Sequence, residues 1–145
     1  MNSDLNQSKK EPCESFILLA DDDEDDCLLM NEFFASNGYK NKIVTSGSAA
    51  LDFLRPLNPG SYPALVLLDY TMPPINGEKV LVFIKTSDKL KHIPVIIYSS
   101  EMNDNLKSRL EALGAYTCLS KVNWAVELNK LNDMIGALMF SIQSF

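Results

Sequence analysis

Short apolar runs alternate with amphipathic stretches along most of this chain. Five of these runs predict β-strands, at Phe16–Ala20, Lys42–Thr45, Ala64–Leu68, Pro94–Tyr98 and Ala115–Leu119. The first, third and fourth runs are almost continuously apolar, as is typical of parallel strands that helices cover on both faces. The second and fifth runs are shorter and more polar, which suits the edges of a sheet.

Between these runs, apolar residues recur at helical spacing. The predicted helices span about Asp23–Asn37, a stretch capped by Ser48 that carries Ala49, Leu51 and Leu54, a stretch after Asn76-Gly77, Asn103–Leu113 and Asn123–Phe140. Alternating strands and helices with right-handed crossovers predict an α/β fold with a doubly wound, five-stranded parallel sheet. Such sheets place their functional sites at the carboxyl ends of the central strands.

Length and composition predict one globular domain. The chain has 145 residues, of which 46% are apolar, enough for a substantial core. Residues 1–14 are polar and predict a disordered leader, so we expect the domain to span residues 15–145. The leader has no apolar segment typical of a secretory signal. The three cysteines are odd in number and scattered, which indicates a reducing, cytoplasmic setting without a disulfide framework.

The negative charge of the chain is concentrated in one place. The net charge is −6, and the uninterrupted acidic run Asp21–Asp26 carries six negative charges. The acidic balance argues against binding to nucleic acid or to an anionic membrane surface. Carboxylates this close repel one another unless water or a cation compensates them, and a divalent cation with oxygen ligands explains the run economically. We expect Asp23–Asp26 to face water and to favour the N-terminus of the first helix.

Polar residues follow the predicted strands at the same edge of the sheet. Asp21-Asp22 follow the first strand, Asp69 the third, Ser99-Ser100 the fourth and Ser120-Lys121 the fifth. A single aspartate at a strand end is most often a turn residue or a helix cap. Carboxylates, a hydroxyl and an amine that converge at one edge instead indicate an oxygen-lined cation site beside a lysine.

These residues resemble those of a known family, the receiver domain of two-component response regulators. The motifs that carry the resemblance are Ile17–Asp23, Leu67–Pro73 with Asn76-Gly77, Pro94–Ser100, Gly114-Ala115 and Lys121. They occur in the order and spacing of the family over about residues 15–142. The resemblance implies the CheY-like, flavodoxin-like fold with strand order 2-1-3-4-5, which is a common order among doubly wound sheets.

The resemblance implies a magnesium site. Asp22 matches the acid that binds Mg²⁺ directly, and Asp21 matches the acid that acts through a coordinated water. Asp69 and the backbone carbonyl of Thr71 match the remaining protein ligands. Mg²⁺ keeps several of its waters, so few protein ligands are needed.

The resemblance also implies phosphorylation. Asp69 matches the aspartate that accepts a phosphoryl group from a sensor histidine kinase or a histidine phosphotransfer protein. Ser99 matches the switch hydroxyl, and Lys121 matches the lysine that pairs with the phosphoryl group. Phosphoryl transfer needs positioning and charge neutralisation more than covalent chemistry, which these residues can supply.

Two positions depart from the family pattern. Val122 stands where the family usually has a proline after the lysine, in a cis peptide bond. Because a cis bond before a residue other than proline costs about 3–4 kcal/mol, we expect a trans peptide here. Cys118 stands at the position of the aromatic switch residue on the fifth strand, and Tyr98 or Tyr116 could substitute for that aromatic ring.

The predicted function is that of a single-domain response regulator in the cytoplasm, which is not an enzyme and acts through protein contacts. The face formed by the fourth helix, the fifth strand and the fifth helix is the expected surface for an unknown downstream target. The main alternative is a pseudo-receiver, a binding module that phosphorylation does not regulate. A phosphatase of the haloacid dehalogenase type would need an aspartate in place of Thr71, and a flavodoxin would need a less acidic loop after the first strand.

Overall fold

The computed structural model describes residues 15–143, so the leader predicted for residues 1–14 lies outside the described residues. The strands are β1 Ile17–Ala20, β2 Asn41–Val44, β3 Leu65–Asp69, β4 Val95–Ser99 and β5 Thr117–Ser120. They form one parallel sheet of five strands in the order β2-β1-β3-β4-β5. This order and the parallel pairing confirm the predicted fold.

Helices cover both faces of the sheet. They are α1 Glu24–Asn37, α2 Gly47–Leu54, α3 Gly77–Lys85, α4 Asp104–Ala112 and α5 Trp124–Gln143, with a short 3₁₀-helix at Pro59–Ser61. Buried residues of α2, α3 and α4 pack on one face of the sheet, and those of α1 and α5 pack on the other. In the described part of the chain, no helix combines the length and the apolar character that a membrane span requires.

The acidic run begins α1 at the carboxyl edge of the sheet. Asp23 caps the helix, because its side chain accepts a hydrogen bond of 3.1 Å from the backbone N–H of Asp26. Acidic residues in the first helical turn also favour the positive end of the helix dipole. At the other end, Gly38 adopts the left-handed conformation (φ 73°) that ends many helices.

Two sequence predictions about element ends were wrong. The cap of α2 is Ser46 rather than Ser48, since the Ser46 side chain accepts a hydrogen bond from the backbone N–H of Ala49. The fifth strand begins at Thr117 rather than Ala115. The backbone N–H of Ala115 donates instead to the carbonyl of Leu110 and so helps to close α4.

Candidate functional site at the carboxyl edge of the sheet

The structure brings the predicted site residues to the carboxyl edge of the sheet. Asp21 directly follows β1, Asp69 ends β3 and Ser99 ends β4. Lys121 directly follows β5, and its backbone N–H donates to the carbonyl of Ser99 at 3.0 Å. Parallel strands in register therefore place these residues side by side, although they are far apart in the sequence.

Three carboxylates form a compact cluster at this edge. Each of Asp21, Asp22 and Asp69 offers an oxygen, and these oxygens all lie within 4.8 Å of one another. Asp21 is fully buried and Asp69 is 4% exposed, whereas Asp22 faces solvent. Buried like charges at this separation repel strongly, because the surroundings screen them weakly.

Asp21 is held by hydrogen bonds to both of its carboxylate oxygens. The backbone N–H of Asp23 donates to Oδ1 at 2.9 Å, and the Tyr98 hydroxyl donates to Oδ2 at 2.5 Å. Burial raises the pKa of Asp21, and these two hydrogen bonds offset only part of that rise. The carboxylate is thus fixed in orientation but destabilised in its charged form.

Asp69 experiences the same conflict more strongly. Burial, followed by the charge of Asp21, raises the pKa of Asp69 to about 7, and the positive charge of Lys121 opposes this shift. Its Oδ1 accepts a hydrogen bond of 3.3 Å from the backbone N–H of Thr71, and its Oδ2 lies 3.6 Å from the Lys121 ammonium. An added cation would stabilise the charged form of Asp69.

Lys121 provides one positive charge among several acids. Its ammonium lies 2.5 Å from an oxygen of Asp26, 3.6 Å from Asp69 and 3.9 Å from Asp21. Burial by itself lowers the pKa of Lys121, but the hydrogen bond to Asp26 and the nearby carboxylates outweigh that effect and raise it. The lysine therefore stays protonated and is shared between these carboxylates.

Asp26 is a member of the site that the sequence interpretation missed. That interpretation assigned Asp26 to the solvent-facing part of the helix terminus, whereas its carboxylate is the closest acidic partner of Lys121. The sequence indicated Asp26 only through its place in the first turn of α1, because α1 begins at the edge of the sheet where β5 ends. The sequence alone does not show which acid of this turn faces Lys121, because that depends on how α1 is oriented relative to the sheet. In the structure Asp26 faces Lys121 and Asp25 is exposed.

Ser99 and Thr71 lie beside this cluster. Ser99 is buried, and its Oγ accepts a hydrogen bond of 3.0 Å from the backbone N–H of Glu101. Thr71 lies on the loop that follows β3, two residues beyond Asp69, with its side chain in solvent. The hydroxyl of Ser99 thus connects the end of β4 to the loop that leads into α4.

Gly77 allows α3 to start directly against the end of β3. A Cβ atom at this position would lie 2.6 Å from the carbonyl oxygen of Asp69, which is too close for any side chain. The backbone N–H of Gly77 donates to the carbonyl of Tyr70 at 2.9 Å, and Asn76 caps the helix through the N–H of Lys79. The Asn-Gly pair thus fixes the loop that carries Thr71.

The two positions that depart from the family pattern have clear structural consequences. The Lys121–Val122 peptide is trans, as expected, and Val122 is 79% exposed. Cys118 is buried on the α2–α3–α4 face of the sheet, and burial raises the pKa of its thiol to about 11. Of the two candidate aromatic substitutes, Tyr116 is 53% exposed, whereas Tyr98 is buried and hydrogen-bonded to Asp21.

The carboxylate cluster fits a hard divalent cation. Its donors are oxygens only, two of the three carboxylates are buried, and Lys121 supplies a single compensating charge. Mg²⁺ prefers such oxygen ligands and needs only one or two carboxylates. Asp21, Asp22 and Asp69 could therefore hold Mg²⁺, while the backbone carbonyl of Thr71 stays a predicted ligand.

Comparison with known proteins identifies the family. Residues 17–134 match the family described as the response regulator receiver domain. The chain belongs to this family. Among curated proteins, this receiver domain is 28% identical to the polar-differentiation response regulator DivK of Brucella ovis over 105 residues, which cover 72% of this chain and 82% of DivK. It is 37% identical over 93 residues to the probable methanogenesis regulatory protein FilR2 of Methanothrix harundinacea (strain 6Ac), and the match spans 61% of this chain and 60% of the length of FilR2.

Solved structures of response regulators agree with the receiver fold. The phosphorylated cyanobacterial phytochrome response regulator RcpA superposes with a TM-score of 0.73 at 26% identity, covering 84% of this chain and 91% of RcpA. The Mn²⁺-bound form of response regulator Rcp1 superposes with a TM-score of 0.70 at 29% identity, covering 81% of this chain and 88% of Rcp1.

Proposed function

We propose that this receiver domain accepts a phosphoryl group on Asp69 in a Mg²⁺-dependent reaction. The donor is a sensor histidine kinase or a histidine phosphotransfer protein. The observation that carries the proposal is the buried Asp69 carboxylate, which lies within 4.8 Å of two other carboxylates and 3.6 Å from the Lys121 ammonium. A site of this kind can accept a cation and a phosphoryl group together, because the positive charge of the cation compensates the negative charge of the phosphoryl group.

The transfer step needs a charged Asp69. An oxygen of its carboxylate attacks the phosphorus of a phosphohistidine, and the P–N bond breaks as a P–O bond forms. The electron pair of the broken bond stays on the imidazole nitrogen, which takes a proton from solvent. Lys121 favours the carboxylate form of Asp69 and can then pair with a phosphoryl oxygen. Mg²⁺, when bound, would neutralise charge that develops on the phosphoryl oxygens.

Asp21, Asp22, Asp69 and the Thr71 carbonyl hold the cation in this proposal, and Ser99 responds to the phosphoryl group. The proposed domain comprises residues 15–145 and acts as a signalling module rather than as an enzyme. The free thiols of Cys27 and Cys118 suit a reducing compartment, which supports a cytoplasmic location.

Output by protein contact is part of the same proposal. Exposed apolar side chains lie in or next to the elements of the α4–β5–α5 face: Leu113 and Tyr116 precede β5, Val122 follows it, and Val126 lies in α5. Large apolar side chains that cluster on a surface often mark interaction sites. We therefore propose this face as the contact surface for the downstream target.

The deciding experiment is intact mass after incubation with acetyl phosphate and Mg²⁺. We expect the mass of one phosphoryl group to be added, and to be lost with EDTA or in Asp69→Asn. Asp52→Asn is the matched control, since Asp52 is an exposed aspartate on α2 that pairs with Arg55. Modification that persists in Asp69→Asn would refute the assignment. No modification with acetyl phosphate or with a phosphorylated histidine kinase would favour the pseudo-receiver alternative.

A further inference from the structure

Tyr98 lies between the acidic site and α5. It is the penultimate residue of β4, is 1% exposed, and packs on the face of the sheet that α1 and α5 cover. Its hydroxyl donates to Asp21 Oδ2 at 2.5 Å. On the side of α5, its ring packs against the Trp124 ring, with the centroids 5.3 Å apart and the planes inclined by 30°. One side chain therefore contacts both the carboxylate cluster and the first residue of α5.

The Tyr98 ring also contacts the cation of the site. The Lys121 ammonium lies 4.9 Å from the ring centroid, within the range of a cation–π interaction. Asp21 and Lys121 are two of the charged groups that set the electrostatics around Asp69. Both of them touch Tyr98, one through its hydroxyl and the other through its ring.

The hydroxyl of Tyr98 has a specific purpose at this position. β4 is otherwise apolar up to Ser99, and a phenylalanine would supply the same ring for packing. A buried hydroxyl is costly unless it forms a hydrogen bond, and the partner of this one is Asp21. Burial and the charge of Asp21 raise the pKa of Tyr98 well above its usual value, so the phenol remains a donor.

We propose that Tyr98 is a positioning residue that orients Asp21 and couples the occupancy of the acidic site to Trp124 at the start of α5. The part that concerns the phosphoryl group rests on the proposed function, whereas the part that concerns the cation does not. When a bound cation shifts the Asp21 carboxylate, the hydrogen bond from the Tyr98 hydroxyl changes. When a phosphoryl group shifts the Lys121 ammonium, its contact with the Tyr98 ring changes. Because cores are close-packed, the ring cannot shift without disturbing the Trp124 ring.

This coupling runs on the opposite face of the sheet from Cys118. Cys118 belongs to the cluster that packs with α2, α3 and α4, whereas Tyr98 and Trp124 belong to the cluster with α1 and α5. Cys118, which stands at the position of the usual aromatic switch, and Trp124 therefore pack on opposite faces of the sheet. Tyr98 supplies an aromatic link from the site, and that link leads to α5.

Trp124 offers a direct readout, because it is the single tryptophan of the sequence. The indole N–H is buried and has no hydrogen-bond partner among the described residues, so its resonance should be sensitive to local movement. The experiment follows indole fluorescence and the indole N–H resonance while Mg²⁺ and then beryllofluoride are added. The variants are Tyr98→Phe, which removes only the hydroxyl, and the matched control Tyr62→Phe. The Tyr62 hydroxyl is also buried, without a partner among residues 15–143, and packs beside His92.

In the wild type and in Tyr62→Phe, Mg²⁺ should shift both indole signals. In Tyr98→Phe, most of this response should be lost and Mg²⁺ binding should weaken about tenfold, the low end of what losing a hydrogen-bond partner of a metal ligand costs. A full indole response with unchanged Mg²⁺ affinity in Tyr98→Phe would overturn the proposal. So would a wild-type indole that ignores Mg²⁺ while calorimetry shows that Mg²⁺ binds, and this arm does not depend on the folding of any variant. Absence of added phosphoryl mass would refute the proposed function separately, since the Mg²⁺ titration still tests the coupling.

Discussion

The Lys121 ammonium lies closer to Asp26, at 2.5 Å, than to Asp69, at 3.6 Å. In the proposed mechanism the same ammonium must pair with a phosphoryl oxygen on Asp69. Asp26 therefore competes with the phosphoryl group for Lys121, and the strength of that competition can be measured.

We predict that Asp26→Asn tightens beryllofluoride binding in the presence of Mg²⁺ by about threefold, because a partly exposed ion pair is worth up to about 1 kcal/mol. Asp25→Asn is the matched control. It removes the same charge from an exposed neighbouring residue that does not pair with Lys121. Calorimetric titration provides the affinities. Equal tightening in both variants would attribute the effect to overall charge, and weaker binding in Asp26→Asn would show that Asp26 assists the phosphorylated state.

The second prediction is that Mg²⁺ stabilises the fold. A ligand that binds only the folded state at one hundred times its Kd adds about 2.7 kcal/mol, and about 2–4 °C of Tm accompanies each kcal/mol in a chain of this size. We expect Mg²⁺ at such a saturating concentration to raise the Tm by several degrees. Asp22→Ala should remove this dependence without making the metal-free protein less stable, because it relieves repulsion within the cluster.

Thermal unfolding in EDTA and in Mg²⁺ measures both effects. Asp25→Ala is the control, as it removes an exposed acid of the same run that lies outside the carboxylate cluster. If Mg²⁺ leaves the wild-type Tm unchanged, or if Asp22→Ala responds like the wild type, the assignment of the metal site is wrong.

The third prediction concerns pH in the absence of metal. The pKa of Asp69 is about 7 in the folded protein, above its ordinary value of 3.8. Between these values the folded state binds more protons than the unfolded state, so stability increases as the pH falls from about 8 towards 5. The slope should approach the value for one proton, about 1.4 kcal/mol per pH unit. The pKa of Asp21 is also raised, and the two carboxylates titrate as a pair.

Urea unfolding in EDTA between pH 8 and pH 5 tests this prediction. Asp69→Asn should flatten most of the pH dependence and should raise stability at pH 8, because it removes a buried charge beside Asp21. Asp52→Asn should keep the wild-type profile. A wild-type protein that loses stability on acidification over this range would contradict the charge conflict at Asp69.

The features that could be predicted from the sequence are those that local pattern determines. The apolar runs of β1, β3 and β4 identified the buried strands, and the polar residues after them identified the edge that carries the site. The element ends were less predictable, since Ser46 and Ser48 are equally good caps and only the path of the chain selects Ser46. The roles of the site residues remain predictions.

The missed parts of the site depend on contacts between distant segments. Asp26 and Lys121 are 95 positions apart, and they pair because α1 begins at the edge of the sheet where β5 ends. Tyr98 and Trp124 pack together because β4 and α5 meet on one face of the sheet. Neither contact leaves a periodic signal in the sequence, which is why hydrophobic patterning located the edge but not these partners.

The last prediction concerns how the signal reaches α4. The Ser99 hydroxyl holds the backbone of Glu101 at the start of the loop that leads to α4. A phosphoryl oxygen that draws this hydroxyl inward would release that hydrogen bond and move the loop. We predict that Ser99→Ala is still phosphorylated at Asp69 but shows much smaller changes in the amide resonances of α4 when beryllofluoride is added.

Cys118→Ala is the matched comparison, since Cys118 is a buried residue of similar size on the neighbouring strand β5. Its thiol is too small to replace an aromatic ring, and burial keeps the thiol protonated with a pKa of about 11. Cys118→Ala should therefore lose about 1 kcal/mol of stability through a small cavity but keep both phosphorylation and the α4 response. NMR spectra with and without beryllofluoride distinguish the two residues. Loss of the α4 response in Cys118→Ala, with Ser99→Ala unaffected, would place the switch on β5 instead of at the end of β4.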